Sequence, residues 1–483
     1  MKDKVALWLV LAVGALLHAL VAFPNHWLFR TYALDLGLYT HTAWHYLHGG
    51  IHDSTLFQAE AAPMLADHFD LLLVLFSPLL LLFGTWTLSL VQWVSVIAGA
   101  LGVRSFLLCY GTGERIALSG MAVFLCFFGV FAASAFDYHS NVVATMALPW
   151  FLSALIQGRR IRAIMLFAFM VIAKENMGLW IGMVSWVFSF HAVLPNAMRR
   201  FTRVLGAFAW CWSLVVILYV MPAMAADGHY THFDYPLISG FFDPVNGQQR
   251  TPVSTLLQGL FIDLTGAKDG TAIKLEFWVI LLLSGGWALI VRPRWGLMVL
   301  PLIAQKMWHN EPAKWAVFGQ YSIEFAPLVA IASALVIARW RTEGARTWAI
   351  WLAPLITAGC TVRTMDNTIA FHDKSRMRFY QTAHYFRSYD TELVRSVIDT
   401  IPTHLVVSAQ SPAVPHLALR ERVYQFPLVR EADLILLLPK EDSYPLDGTT
   451  YRSKVDSLTG SSSWVVLHQD TSLILLGRAR RVR

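Results

Sequence analysis

The sequence predicts an all-α polytopic membrane protein of about 11 transmembrane helices, followed by a small C-terminal α/β domain outside the membrane. Three observations carry that expectation. Of 483 residues, 56% are hydrophobic and only 14% charged, with a mean hydropathy of +0.51. The apolar residues fall in continuous runs near the length of about 20 that carries a helix across a hydrocarbon core, not in the short alternating segments of a β-barrel. From about Arg376 the composition changes to that of an ordinary soluble protein. Backbone polar groups inside lipid must be satisfied within their own segment, so the runs are helices. The net charge of +7, from 38 Lys and Arg against 31 Asp and Glu, sits largely in short loops. Membrane topology accounts for it, and no nucleic-acid partner is implied.

The first apolar run, Val5 to about Phe23, follows Met-Lys-Asp-Lys and lacks a convincing small-x-small cleavage site, so it reads as an uncleaved first helix with a cytoplasmic amino terminus. Further spans are expected near 88–108, 118–135, 141–157, 161–174, 177–194, 203–222, 273–291, 295–307, 321–339 and 347–363. With these alternating, Gly111–Arg115, Arg159/Arg160/Arg162, Arg199/Arg200/Arg203, Arg292/Arg294 and Arg339–Arg346 all fall on the cytoplasmic side, as the positive-inside rule requires. The scheme needs Leu71–Phe83, a short stretch carrying Ser77-Pro78, to be re-entrant or juxtamembrane. Residues 1–363 then form the membrane domain. Its first outer loop, 25–70, carries juxtamembrane helices and the re-entrant segment to about 84; its second long outer loop is 223–272. Residues 364–483 form the extracytoplasmic domain, with strands at His404–Ala409, Asp433–Leu438, Trp464–His468 and Ser472–Leu476 and a helix over Thr391–Thr400. Arg478, Arg480, Arg481 and Arg483 read as a solvated or headgroup-facing tail. The four cysteines show no metal or redox spacing and read as small core residues.

All of the 17 histidines except His18 and His191 fall outside or at the outer boundary, which implies an extracytoplasmic polar chamber. Ionisable groups at a membrane boundary are costly unless paired or wet, so their clusters are the candidate sites. Asp35, in Leu-Asp-Leu-Gly past the first span, suits a general base or a metal ligand; the plainer role is a helix cap or turn acid. Asp67-His68 and Asp137-Tyr138-His139 each offer a carboxylate and an imidazole, which suit a divalent cation or an acid/base pair, or else boundary solvation with a cap. Lys174-Glu175-Asn176 interrupts two apolar runs, where Lys174 could neutralise a lipid phosphate and Glu175 could pair with it or join a metal; otherwise it is a salt-bridged helix break. His41, His45, His48 and His52 share one helical face, read as an interfacial helix presenting imidazoles to water in preference to a zinc site. His309, Glu311, Lys314 and Gln320-Tyr321 could line the same chamber, with His229, His232 and Asp234 in a lid over it.

Taken together, Asp35-Leu36-Gly37, Asp67-His68-Phe69 with Ser77-Pro78, Phe136-Asp137-Tyr138-His139, Lys174-Glu175, Tyr321 with Pro327, and the tail's Ile401-Pro402, Ser408-Ala409, Pro415-His416-Leu417 and Arg420 resemble the membrane-protein family of domain of unknown function 2079. The resemblance spans nearly the whole chain. That family in turn resembles the C-type (GT-C) glycosyltransferase superfamily, whose members use polyprenyl-phosphate-linked sugars and carry a catalytic acid in the first outer loop.

The resemblance implies a GT-C-like fold and an inverting transfer of a hexosyl or pentosyl group from a polyprenyl-phosphate sugar donor to a glycan, lipid or protein acceptor. The reaction is expected on the outer face of the cytoplasmic (inner) membrane. On it Asp35 is the catalytic base. Asp67, His68, Lys174, Glu175, His309 and Tyr321 bind substrate, and Lys174, Arg30 or a cation offsets charge on the leaving phosphate. Asp137 and His139 stand where metal-using members carry an acid-x-acid pair for Mg or Mn; histidine in the second place departs from that pattern. The competing reading is a transporter or lipid-carrier translocator, in which the boundary acids and histidines relay ions or protons. The lack of an internal repeat counts against it.

Overall fold

The computed structural model describes residues 2–50, 56, 63–230, 232–242, 250–370 and 373–479. His52 and the closing Arg480, Arg481 and Arg483 lie outside the described residues. The chain is mostly helical, and its contacts gather into two compact units. The first holds Met1–Val21, Asp67–Asp70 and Gln92–Arg378; the second holds Ala22–Ala66, Leu71–Val91 and Phe379–Arg483.

Among the described residues five helical runs are long and apolar enough to cross a membrane: Asp3–Trp27, Leu72–Cys109, Asn196–Met224, Gly270–Val291 and Gln320–Ile337. A sixth is counted if Glu114–Cys126 and Phe128–Ser134, bent by 48° at the extended Phe127, form one span. Large apolar side chains on these runs are exposed, as a lipid-facing surface requires, with Trp8, Leu9, Leu81 and Ile290 all above 60% exposure. The chain is a multi-pass membrane protein. Other expected spans form shorter helices, including Leu148–Ile156, Arg160–Val171, Met177–Phe188 and Leu300–Met307. The stretch read as re-entrant is a string of short turns, Leu72–Phe76, Ser77–Leu79, Leu80–Phe83 and Gly84–Trp86, running into helix Thr87–Cys109. Gly84 sits at φ 54°, where a side chain would be strained.

One helix pair in the first unit sets the position of the candidate site. Met177–Phe188 carries Gly178 and Gly182 four residues apart, and they meet Gly206 and Ala209 of Asn196–Val215. Added Cβ atoms would lie 2.4 Å from the Ala209 carbonyl oxygen at Gly178 and 2.4 Å from the Trp210 ring at Gly182. Small residues at this spacing let two backbones approach, which is how helices associate in a solvent that gives them no hydrophobic drive. At the end of the contact the Ser213 hydroxyl donates to the Glu175 carbonyl at 2.6 Å. That bond ties the break between Arg160–Val171 and Met177–Phe188 to the neighbouring helix.

The second unit contains a five-stranded sheet in the order β2-β1-β3-β5-β4: β1 Val407–Ala409, β2 Val423–Gln425, β3 Leu434–Leu437, β4 Trp464–Gln469 and β5 Ile474–Arg478. β2, β1 and β3 are parallel, β5 and β4 antiparallel, with a bulge between Val466 and His468. Phe426, Ile435, Leu437, Ile474 and Leu476 form its core with Tyr451 of helix Gly448–Thr459. Helix Thr391–Thr400 starts at Asp390, whose carboxylate accepts from the Glu392 and Leu393 N–H groups, a regular N-cap.

Two expectations are corrected in this unit. The histidine row does not face water as a whole: His41 is fully buried, bonded to the Ala418 carbonyl and to His45, because the residues around it, Leu38 to Ala43, are themselves packed inside, whereas His45 is half-buried and His48, at the helix end, is exposed. Arg30 is not available to a phosphate. Its buried guanidinium donates to the carbonyls of Ala383, His384 and Phe386, so it fastens the start of the tail within this unit.

Candidate functional site

The first unit encloses a cavity of about 530 Å³. One part of its wall is apolar, formed by Met177, Trp180, Leu214, Ile217, Leu218 and Ile238. Set into this largely apolar lining is a charged and polar group that includes His68, Lys174, Glu175, Tyr230, His232, Lys306, His309, Lys314, Tyr321 and Glu324. Five of the residues expected to bind substrate, His68, Lys174, Glu175, His309 and Tyr321, are thus brought to one space. The sixth, Asp67, stands directly behind it.

Glu175 is the anchor of the polar part. Its side chain is 1% exposed, and the helix break at 174–176 turns it inward. Oε2 accepts from the Phe69 N–H at 3.2 Å and Oε1 from the Tyr230 hydroxyl at 3.3 Å, with His68 Nδ1 3.9 Å away. Burial alone would raise its pKa, but His68, Lys174 and these donors outweigh that and keep it below the carboxylate range. Burial, with Lys174 next, lowers the His68 imidazole, so His68 is neutral at pH 7. Burial and the Glu175 charge push the Tyr230 hydroxyl up, which keeps it a donor.

Asp67 is held by a residue from a distant loop. His232 Nε2–H donates to the Asp67 carboxylate at 2.9 Å and to its carbonyl at 2.8 Å. The His232 ring stacks on His68, centroids 4.5 Å apart at 14°. Burial opposes ionisation of Asp67, but the His232 bond and the nearby His68 and Lys174 outweigh it and lower its pKa. Lys174 forms no hydrogen bond or ion pair among the described residues, which leaves its ammonium available to an anion entering the cavity.

Across the cavity the Lys314 ammonium donates to the Tyr321 hydroxyl at 3.1 Å and lies 3.9 Å from Glu311. His309 Nδ1 accepts from the Glu311 N–H at 3.0 Å, and its ring meets Tyr235 edge-on. Sequence reasoning missed Lys306, Tyr230 and Glu324. Lys306 is buried and donates to the carbonyls of Lys314 and Ala316; Glu324 accepts from the Asn141 amide at 2.6 Å. Lys306 and Glu324 are single charges within apolar stretches, a weak signal, and Tyr230 sits in a polar loop that offered none.

Asp137 and His139 do not line the cavity. Asp137 accepts from Arg376 at 3.2 Å in a buried ion pair. His139 donates through Nδ1 to the Asp137 carbonyl and accepts at Nε2 from Gln320, 2.9 Å away. A cation shared by these two would compete with Arg376 for the carboxylate and with Gln320 for Nε2. Asp35 belongs to the second unit, half-buried in the π-helical turn Ala33–Gly37, where it is a first-turn acid.

The family described as "Predicted membrane protein (DUF2079)" matches residues 25–473. No curated protein matches the chain by sequence. Among solved structures, ArnT from Cupriavidus metallidurans bound to undecaprenyl phosphate aligns with a TM-score of 0.52 at 11% identity, with 97% of each chain covered. The arabinofuranosyltransferase AftD from Mycobacteria aligns at a TM-score of 0.48 and 14% identity, over 98% of this chain and 40% of that one. At 11% identity the ArnT likeness is one of fold, and the fold agrees with the GT-C resemblance.

Proposed function

The chain belongs to the DUF2079 family of predicted membrane proteins, and on that premise we propose that it is a membrane glycosyltransferase that takes a sugar from a polyprenyl-phosphate-linked donor. The observation that carries this reading is the two-part cavity. An apolar wall of Leu214, Ile217, Leu218 and Ile238 beside the uncommitted ammonium of Lys174 suits a ligand with a hydrocarbon tail and an anionic head. The fold likeness to ArnT, seen bound to undecaprenyl phosphate, supports the same ligand class.

In this reading Lys174 offsets the charge that develops on the leaving phosphate, the step where electrostatic preorganisation contributes most. Glu175, His68, Asp67, His309 and Tyr321 shape the polar part of the site, and Asp35 deprotonates the acceptor hydroxyl, whether of a glycan, a lipid or a protein. The reaction faces outward across the inner membrane, with 11 spans, a cytoplasmic amino terminus and the tail domain outside.

Native mass spectrometry of gently purified protein tests the proposal. A co-purifying polyprenyl phosphate or sugar-lipid, displaced in Lys174→Met, is the expected result. Loss of that lipid class from a preparation that retains ordinary phospholipid would overturn it. Flux of a solute across sealed vesicles driven by a pH gradient, without covalent turnover, would instead establish the transporter reading.

A further inference from the structure

We propose that Asp67, His68 and His232 form a transition-metal site on the polar wall of the cavity, with zinc as the ion it takes best. One ligand atom from each of the three lies within 4.8 Å of the others. Among the described residues this is the only such group of three His, Cys, Asp or Glu side chains. The ligands come from places far apart in the sequence, Asp67 and His68 from one loop and His232 from another 165 positions away from Asp67. Local sequence geometry therefore does not explain their meeting.

The chemistry of the set selects the metal. Two imidazoles and one carboxylate suit a borderline ion such as Zn²⁺; Mg²⁺ prefers oxygen ligands and retains water. His232 Nε2 already points at the Asp67 carboxylate from 2.9 Å. A metal ion would replace the proton of that hydrogen bond, which moves to Nδ1 of the same ring. Behind His68 stands the buried Glu175 carboxylate, 3.9 Å from Nδ1. That is the outer position from which a carboxylate orients a ligating histidine and raises its basicity.

Three protein ligands leave a coordination position open. Since His68 and His232 both line the cavity, that position faces the space where Lys174 stands, and an anionic oxygen would complete the shell. In naming that oxygen as a phosphate the inference rests on the polyprenyl-phosphate reading; the metal site itself does not.

The test is zinc binding to full-length, detergent-purified protein without a polyhistidine tag, stripped with chelator and titrated by equilibrium dialysis with elemental analysis. One high-affinity Zn²⁺ per chain is expected. His232→Ala and His68→Ala should each weaken it at least about 100-fold, and Glu175→Gln about 10- to 100-fold. His468→Ala, which removes an exposed tail histidine, should leave it unchanged. Melting temperatures of the metal-free variants, compared with metal-free wild type, separate lost ligands from lost fold. No stoichiometric zinc in the wild type, or zinc retained by folded His232→Ala and His68→Ala, would overturn the assignment. Neither result depends on bound polyprenyl phosphate, so failure here leaves the transferase reading to its own lipid test.

Discussion

Gly178→Ala tests the link between helix packing and the candidate site. The new Cβ would lie 2.4 Å from the Ala209 carbonyl oxygen and 2.5 Å from Ser213 Oγ, where ordinary contact begins at 3.4 Å. Relief requires helices Met177–Phe188 and Asn196–Val215 to part by about 1 Å, since the nearer obstacle is backbone and cannot turn aside. Overpacking of this kind costs about 1–3 kcal/mol. The shift also strains the Ser213 bond to the Glu175 carbonyl, worth about 1 kcal/mol. Better helix propensity returns about 1 kcal/mol. The net loss of about 1–3 kcal/mol should lower the melting temperature in detergent by about 2–5 °C. The control is Gly359→Ala in helix Glu343–Asn367, where an added Cβ meets nothing within 4 Å, so stability should hold or rise slightly. Equal melting temperatures for the two variants would refute the close-packed interface.

Three further outcomes follow from the same geometry. Glu175→Gln should weaken the fold at pH 7 by about 1.5–3 kcal/mol, the worth of hydrogen bonds to a charged group. The native carboxyl of Glu175 is depressed to about 2 from an ordinary 4.5, so its contribution is complete above about pH 4.5 and lost as pH falls towards 2. His68, with a native pKa below its ordinary 6.5, makes stability fall on acidification from about 6.5; in melting curves against pH, Glu175→Gln should therefore keep the upper slope and flatten the lower one, and an unchanged lower slope would contradict the assignment. Arg376→Ala should cost about 3–5 kcal/mol because it takes the guanidinium away from the buried Asp137 carboxylate, 1% exposed; the double variant with Asp137→Asn should recover much of the loss, and additive losses would show that the two do not act as a pair. Asp35→Asn should abolish turnover of whichever sugar-lipid co-purifies while leaving the melting temperature nearly unchanged, and retained turnover would remove Asp35 as the base.

The elements that were legible are those whose local chemistry decides their form. Helix Thr391–Thr400 was read to its ends because Asp390 caps it and Pro402 follows its close. β3, β4 and β5 fall within or beside apolar runs bounded by turn residues. β2 was not legible, since Val423–Gln425 offers three residues between Arg422 and Phe426, too few to show a period. Helix Gly448–Thr459 was also missed; its Asp447 cap is regular, but a mostly polar helix with one buried residue, Tyr451, carries little amphipathic signal. Burial of the first half of the Leu38–Leu47 helix was misjudged because histidines suggest water, as exposed His48 bears out, whereas hydrogen bonds to Ala418 and His45 satisfy His41 inside.

The candidate site divides along the same line. Acids and bases at the boundaries of apolar runs announce themselves, because Lys174-Glu175 puts two charges into the break between two apolar helices, where a plain turn would serve. Lys306 and Glu324 did not, since a single charge inside an apolar run barely lowers its mean hydropathy. Yet burial of such a group demands partners, and both have them: carbonyls of Lys314 and Ala316 for the ammonium, the Asn141 amide for the carboxylate. What no reading of spacing could supply is the meeting of Asp67 with His232. It depends on how the loop after helix Met221–Met224 returns across the cavity, a tertiary event. Glu175 connects the two kinds of information. Its place in the chain marks it as costly, and its contacts with Phe69, Tyr230 and His68 show which segments meet around it: the Asp67–Asp70 stretch, the loop carrying Tyr230 and the break between two helices. A charge buried at that junction holds three segments in register, so substitutions there should disturb ligand binding and folding together, whereas Lys174, one residue earlier and without a partner among the described residues, should separate the two.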